Sequence, residues 1–274
     1  MVNNSLAEKL ITKNLKRVLF SPFVKAIQEF ELLGSGDKVA VCISGGKDSL
    51  LLAKLFNELL KHKKYPFEIV YLAMNPGFSN ENLQNMEKNA KNLNIDLQIF
   101  SSDVFYVSSK LEPNNPCYMC ARMRRGFLYS KAKELGCNKI ALGHHFDDVI
   151  ETTVLNLFYG GQFKTMPPKL RSKNFSGITL IRPLYYIRER DILKWQSLIN
   201  LNAMNCGCIV TEKKLPSKRR EIKELINVLS KQIPKLEQSI LNATMNANCD
   251  RLLGFKFKDK KYLFKDIYGA TDDL

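Results

Sequence analysis

The chain has 274 residues, 45% hydrophobic and 25% charged, enough apolar material for one large domain or a core with an appendage. No uncharged apolar run approaches the roughly 18 residues of a membrane-spanning helix, and the first residues lack the apolar stretch of a secretory signal, so a cytoplasmic protein without membrane attachment is expected. Forty-two Lys and Arg against 27 Asp and Glu give a net charge of +15, an excess that attracts polyanions; no basic amphipathic stretch carries the Trp/Phe-rich face of a membrane-surface helix. The basic residues cluster at 13–17, 122–125, 218–220 and 256–261, which favours nucleic acid, although a merely solvated Lys-rich surface is the plainer alternative.

In chain order, residues 5–32 place apolar positions at helical spacing and predict one or two helices. KVAVCI (38–43) reads as a strand, 48–60 as a helix, FEIVYLAM (67–74) as a strand, and 80–93 as a helix with Ser79 as N-cap. DLQIF (96–100) is a strand, followed by a connection holding Cys117 and Cys120. A helix over about 119–135 is closed by Gly136. NKIALG (138–143) is a strand and DDVIETTVLNLF (147–158) a helix stopped by Gly160 and Gly161. GGQFKTMPPKL (160–170), with two glycines and two prolines, reads as a loop. TLIRPL (179–184) is a last strand, followed by helices at about 188–201, 217–232 and 234–245; beyond 246 only charge is legible. Strands alternating with helices predict an α/β fold, an open parallel sheet with helices on both faces, and the near-continuous apolar strands suit burial on both sides. The expected organisation is an N-terminal helical segment (1–35), an α/β domain (36–187) and a C-terminal helical region (188–274).

Three constellations carry chemistry. SGGKDS (44–49) joins a strand to a helix, so backbone N–H groups at the helix N-terminus form an anion site that glycines leave open. It is not a Walker loop, because Asp48 follows Lys47 where a hydroxyl is required, nor is it a Gly-x-Gly-x-x-Gly turn. The bland reading is a strand-to-helix turn capped by Ser44 or Asp48. LGHHFDDVIET (142–152) gathers Asp147, Asp148 and Glu151 near another helix start, on the same edge of the sheet. These acids could hold Mg²⁺ together with phosphates or merely complement the helix dipole, and spacing leaves open whether Asp147 or Asp148 faces the site. His144 and His145 could equally pack or cap, and without HExxH or a comparable third ligand a zinc hydrolase is excluded.

The third constellation is cysteine. Seven cysteines, an odd number, argue against a disulfide framework. Cys42 and Cys137 read as packing residues and Cys249 is isolated. PCYMC supplies Cys117 and Cys120, and NCGC supplies Cys206 and Cys208. A zinc site, a redox dithiol and an iron–sulfur cluster compete for them, and spacing alone leaves zinc and cluster open.

SGGKDS resembles the pyrophosphate-binding loop of the PP-loop ATP pyrophosphatases. Together with LGHHxDDxxET, PCxxC-ARMRRG, IRPL and C-x-C before SKRR, it makes residues 15–230 similar to the TtcA-type tRNA 2-thiocytidine synthetases. The resemblance implies a Rossmann-like, adenine-nucleotide alpha-hydrolase-like domain that binds ATP through Ser44, Gly45, Gly46, Lys47, Asp48, Ser49, Gly143 and His144. It implies catalytic roles for Lys47, Asp48, Asp148, Cys117 and Cys120, and Mg²⁺ on Asp148. A [4Fe–4S] cluster would sit on Cys117, Cys120 and Cys206; Cys208 is the alternative third ligand, because other branches carry C-x-x-C where this chain has C-x-C. Arg122, Arg124, Arg125, Lys218, Arg219 and Arg220 would hold tRNA. A cysteine desulfurase-type sulfur donor and a homodimer are also implied. The implied reaction adenylates O2 of a tRNA cytidine, at position 32, and replaces the oxygen with sulfur to give 2-thiocytidine, AMP and pyrophosphate. The competing readings are another PP-loop tRNA-modifying enzyme, such as a uridine 2-thiolase, and a zinc-bearing nucleic-acid-binding module. The uridine enzymes carry extra zinc-finger cysteine pairs at the chain ends, which this sequence lacks, and lysidine synthetases share the loop but not the paired cysteines.

Overall fold

The computed structural model describes residues 2–62, 66–111, 116–204 and 218–267. They fall into two compact units: Met1–Val149 with Met166–Lys218, and Ile150–Thr165 with Arg219–Leu274.

The first unit is built on a six-stranded sheet of β1 (Lys38–Ile43), β2 (Glu68–Asn75), β3 (Leu97–Ser101), β4 (Lys139–Ala141), β5 (Lys169–Arg171) and β6 (Thr179–Ile181). Their order is β3-β2-β1-β4-β6-β5. Neighbours are parallel, with Val39 opposite both Ile69 and Lys139, except that β5 runs antiparallel to β6, Lys169 facing Ile181. The expected parallel sheet therefore gains one antiparallel edge strand, formed where GGQFKTMPPKL read as loop. Three residues at an edge need only one ladder, so the two prolines before them do not prevent pairing. Because the chain steps outward from β1 on both sides, the carboxyl ends of β1 and β4 frame the crevice where open α/β sheets bind ligands.

Helices α1 (Asn4–Lys9), α2 (Phe20–Glu29), α3 (Lys47–Lys61), α4 (Asn80–Asn92), α5 (Val104–Leu111), α6 (Pro116–Glu134) and α7 (Phe146–Gly160) follow, then α8 (Glu189–Leu198). One turn of π-helix, Leu10–Asn14, extends α1. α6 covers the sheet face carrying Ala40, Cys42, Leu72 and Ile140, with Ala132 and Cys137 in the same cluster. Cys42 and Cys137 are thus packing residues, and burial pushes the Cys42 thiol up to about 12. Ser79 caps α4 by accepting from Asn82 N–H at 3.3 Å. Gly136 closes α6 two residues after its last helical residue, and its φ of +71° lets Cys137 N–H reach back to the Ala132 carbonyl at 2.9 Å. α6 begins at Pro116, so Cys117 and Cys120 both ride on its first turns, and α5 occupies part of the connection before it.

α3 is apolar on nearly every side: Leu50, Leu51, Leu52, Ala53, Leu55 and Phe56 are all fully buried, as expected of a helix wedged inside a core. Lys54 is buried with them, and its ammonium donates to Asn4 Oδ1 at 2.7 Å, Glu8 Oε1 at 2.9 Å and the Leu93 carbonyl at 3.0 Å. Three acceptors match its three protons, fastening α1 and the end of α4 onto α3. Burial alone would raise the Glu8 carboxyl, but Lys54, Lys61 and Asn4 outweigh it and lower it to about 2.

The second unit contains the later turns of α7, α9 (Lys218–Ser230), α10 (Leu236–Ala243), a hairpin of β7 (Gly254–Phe257) and β8 (Lys260–Leu263), and α11 (Phe264–Ile267). Glu151, buried on α7, accepts from Arg219 Nε at 3.0 Å, and Tyr159 donates to Glu221 at 2.7 Å. The hairpin lies beyond residue 246, in the stretch where no element was expected. No helix among the described residues is long and apolar enough to cross a membrane.

Candidate active site at the ends of β1 and β4

β1 stops at Ile43, Ser44–Gly46 turn, and α3 starts at Lys47 with Gly46 as its N-cap. The first N–H groups of α3 have no intrahelical partner and carry the positive end of the helix dipole. Gly45 has φ +81°, a left-handed conformation that favours glycine. A Cβ there would also come within 2.5 Å of Met204 Sδ. The loop is braced by Ser49: its hydroxyl accepts from Ser44 N–H at 3.1 Å and donates to the Gly46 carbonyl at 2.9 Å. Met204 N–H donates to the Gly45 carbonyl at 3.0 Å, holding the far side of the turn. Gly143, at the end of β4, lies so close to the first turn of α3 that a Cβ would sit 3.1 Å from the Asp48 carbonyl carbon. Its absent side chain is what lets the two strand ends meet.

Lys47 Nζ lies 3.2 Å from Asp48 and 3.2 Å from Glu189 Oε1 on α8. Burial disfavours the ammonium, but the two carboxylates prevail and its pKa is raised, so it is a fixed cation. Asp48 Oδ1 is buried without a hydrogen-bond donor; Lys47 at 3.2 Å and His145 Nε2 at 3.9 Å approach it at ion-pair range. A carboxylate oxygen left in that state fits a hard divalent cation, which takes oxygen ligands.

The acids after β4 divide their roles. His145 is the N-cap of α7: its Nδ1 accepts from Asp148 N–H at 3.4 Å, while Asp148 Oδ2 accepts from His145 N–H at 2.9 Å. This is a reciprocal capping box with histidine in the serine position. The other ring nitrogen, Nε2, faces Asp148 Oδ2 at 3.6 Å and Asp48 Oδ1 at 3.9 Å. Asp147 turns elsewhere, accepting from Glu189 N–H at 2.7 Å and pairing with Arg188 at 3.2 Å. It therefore satisfies the N-terminus of α8, and Asp148 is the acid on the crevice side.

Two cavities flank the loop. One, of about 550 Å³, is lined by Ser44, Gly46, Lys47, Asp48, Arg124 and Glu189, with Phe78 and Met204 as apolar walls. The other, of about 360 Å³, is lined by Ser44, Asp48, Ser49, Gly143, His144 and Asp148, with Arg124 and Arg125 from α6. Of the basic residues read as tRNA contacts, Arg124 and Arg125 thus reach the crevice, whereas Arg122 is exposed on the surface of α6. In the second unit Arg219 is paired with Glu151, and Arg220 with Glu224 at 3.0 Å; Lys218 opens α9.

Glu189 and Met204 line this site and were missed by sequence reasoning, as was Arg188, which holds Asp147 in the frame. Glu189 lies 142 positions from Lys47, and no local pattern links the two. Arg182 of IRPL is a structural residue: it is buried, its guanidinium donates to the Pro167 carbonyl, and burial lowers its pKa against the favourable pull of Tyr129, Tyr185 and Asp148.

The cysteines are covered in part. Cys117 and Cys120 lie three apart on α6, a spacing that brings both to one helix face, and Cys120 is half-buried. Of Cys117 only the backbone is described, and Cys206 and Cys208 lie outside the described residues. Among the described residues no three His, Cys, Asp or Glu side chains gather as a metal-binding group.

A family model described as the PP-loop domain matches residues 19–204. The tRNA-cytidine(32) 2-sulfurtransferase of Syntrophotalea carbinolica is 38% identical over 237 residues, which cover 86% of this chain and 91% of that protein. The chain belongs to the PP-loop tRNA-cytidine 2-sulfurtransferase family. A second member of that family, from Acinetobacter baumannii, is 40% identical over 233 residues, covering 83% of this chain and 75% of its own. Among solved structures, the U34-tRNA thiolase NcsA from Methanococcus maripaludis, with its [4Fe-4S] cluster, matches with a TM-score of 0.66 at 24% identity, over 82% of this chain and 76% of that one. At that identity the likeness speaks for the fold. The PP-loop match takes in the 44–49 loop, Cys117, Cys120 and the 143–148 strand end; Cys206, Cys208 and the 218–220 run follow it.

Proposed function

We propose that this protein is an ATP-dependent tRNA-cytidine 2-sulfurtransferase that activates O2 of a tRNA cytosine, at position 32, by adenylation and exchanges it for sulfur. The observation that carries this reading is the meeting of two strand ends: backbone N–H groups, Lys47 and Asp48 on one side, Asp148 on the other. The names of the curated relatives support the substrate.

ATP is held with its β- and γ-phosphates against the α3 N-terminus and Lys47. Lys47 is already protonated and fixed, so it stabilises charge growing on the departing pyrophosphate without reorganising. Asp48 and Asp148 would hold Mg²⁺, which supplies further neutralisation of the phosphates. Arg124, lining both cavities, is placed to meet a phosphate oxygen as O2 of the base attacks the α-phosphorus and the bond to pyrophosphate breaks. His144 lines the nucleotide, and the Phe78 and Met204 walls exclude water from the adenylate. A [4Fe–4S] cluster on Cys117, Cys120 and Cys206, with Cys208 as the alternative ligand, would supply the sulfur that displaces AMP; thiol donors of this kind suit it. Arg122, Arg125 and the 218–220 run would hold the tRNA backbone, with the target base turned out of its stack. A cysteine desulfurase-type donor would renew the sulfur, and the active form would be a homodimer in the cytoplasm.

Mass spectrometry of tRNA nucleosides from cells with and without the gene tests the substrate. Loss of 2-thiocytidine on deletion is expected. Unchanged 2-thiocytidine with loss of 2-thiouridine would move the reading to a uridine thiolase.

A further inference from the structure

The β7–β8 hairpin is unlike the rest of the molecule. With α11 it carries five lysines and two aspartates between residues 254 and 267, together with aromatic rings that its own fold does not bury. Phe255 stacks on Tyr262 across the ladder with ring centroids 5.0 Å apart, and on the same face Phe257 stands opposite Lys260. Phe257 is 57% exposed and Phe264 47%. On the other face Lys256 and Lys261 are directly opposite one another. Among the described residues none of the five ammonium groups, Lys256, Lys258, Lys260, Lys261 and Lys265, is paired with a carboxylate.

Two features of this arrangement are unfavourable in an isolated protein. Like charges directly across an antiparallel pair repel, and a two-stranded ribbon is marginal without something packed on it. The turn makes no concession either: Lys258 and Asp259 have φ of +46° and +67°, the two positive values of a type I′ turn that Asn-Gly or Asp-Gly would adopt more easily. A partner that brings negative charge to the lysine pair and a flat apolar face to the exposed ring relieves the first two costs together. An unpaired RNA strand is such a partner: its bases stack on aromatic rings while its phosphates take the cations. A lipid surface fits less well, because Lys258 lies over the Phe257 ring, 5.2 Å from its centroid, and lysines alternate with the apolar positions, leaving no continuous face to insert.

We propose that the β7–β8 ribbon is an RNA-docking surface for an unpaired segment of the substrate tRNA, Phe257 stacking on a base and Lys256 with Lys261 holding phosphates. This rests on the tRNA reading above and adds a contact outside the ATP crevice.

The test is binding of labelled tRNA to the full chain across a potassium chloride series, with ATP binding and thermal melting measured on every variant. Phe257→Ala is expected to weaken tRNA binding about tenfold. Lys256→Gln with Lys261→Gln is expected to flatten the salt dependence by about 1.4 in log–log slope, about 0.7 for each single-strand phosphate that is no longer neutralised. Lys256→Arg with Lys261→Arg should bind as the parent does, and ATP affinity and melting should not move in any of them. Unchanged tRNA affinity and slope in the Ala and Gln variants overturns the docking surface. So does parent-like tRNA binding combined with loss of binding to vesicles containing phosphatidylserine, which would make the ribbon a membrane contact. Nucleoside analysis of the tRNA separates this from the parent reading. Ribbon-independent binding with 2-thiocytidine formed leaves the sulfurtransferase standing and removes the ribbon; ribbon-dependent binding without 2-thiocytidine does the reverse.

Discussion

The turn after β1 and the turn after β4 are neighbours, yet they use their polar groups in opposite directions. After β1, side chains serve the loop: Ser49 braces Ser44 and Gly46, and the N–H groups of the α3 N-terminus remain for a ligand. After β4, most of the polar groups close on the protein itself. His145 and Asp148 cap α7, and Asp147 binds Arg188 and the start of α8. The first turn is a cradle and the second is the frame that fixes it. A motif as chemical in appearance as GHHFDD is therefore partly architectural: His145 and Asp147 serve the frame, Gly143 and His144 line the crevice, and Asp148 is shared between the two.

The largest effect that sharpens this contrast comes from the cradle. Lys47→Ala should lower the rate of pyrophosphate release by about 10²–10³-fold, the usual cost of removing one preorganised charge-stabilising group, with the melting temperature nearly unchanged. Single-turnover kinetics with tRNA and ATP would measure it.

The two adjacent acids should then separate. Asp148→Asn removes a carboxylate from the crevice and should cut activity about 10²-fold, while the amide can still accept from His145 N–H. Asp147→Ala removes the cap of α8 and should cost about 1 kcal/mol of stability, leaving most of the activity at a temperature where the protein is folded. Activity assays paired with thermal melts check both. If Asp147→Ala proved inactive but fully stable, the frame and the site would have been exchanged.

Glycines give a third contrast. Gly45→Ala puts a Cβ into a left-handed conformation and onto Met204 Sδ, and should destabilise by more than about 1 kcal/mol. Gly143→Ala meets backbone at 3.1 Å and should prise the two strand ends apart, raising KM for ATP more than it lowers the melting temperature. Equilibrium ATP binding and melting on each variant give the comparison.

How far these features were legible differs by their range along the chain. SGGKDS was readable because strand, turn and helix start are consecutive, and the capping of α4 by Ser79 is equally local. The choice between Asp147 and Asp148 was not, since both sit in the first turn of α7; it is decided by α8, which begins at Glu189. β5 was hidden by the glycines and prolines before it, and by being an edge strand of only three residues. The ribbon was hidden because Lys258-Asp259 is not a hairpin signature, even though its backbone takes the hairpin conformation. Glu189 was beyond reach for the simplest reason: only the folded chain brings it to Lys47.

A smaller prediction concerns α1, which Glu8 ties to Lys54 and Lys61 of α3. The Glu8 carboxyl lies near 2 in the folded protein against 4.5 when unperturbed, so protons bind the unfolded chain first. The stability it contributes is complete above pH 4.5 and is lost progressively as the pH falls towards 2. Melting curves between about pH 7 and pH 3 should therefore drop more steeply for the parent than for Glu8→Gln.

The most direct measurement for the central claim is the nucleotide product of the reaction. With tRNA, ATP and a sulfur source under anaerobic conditions, chromatography should find AMP and pyrophosphate, one of each for every 2-thiocytidine formed, and neither in the absence of tRNA. ADP and inorganic phosphate in that proportion would contradict the account, because the loop after β1 would then be passing on a phosphoryl group rather than releasing pyrophosphate.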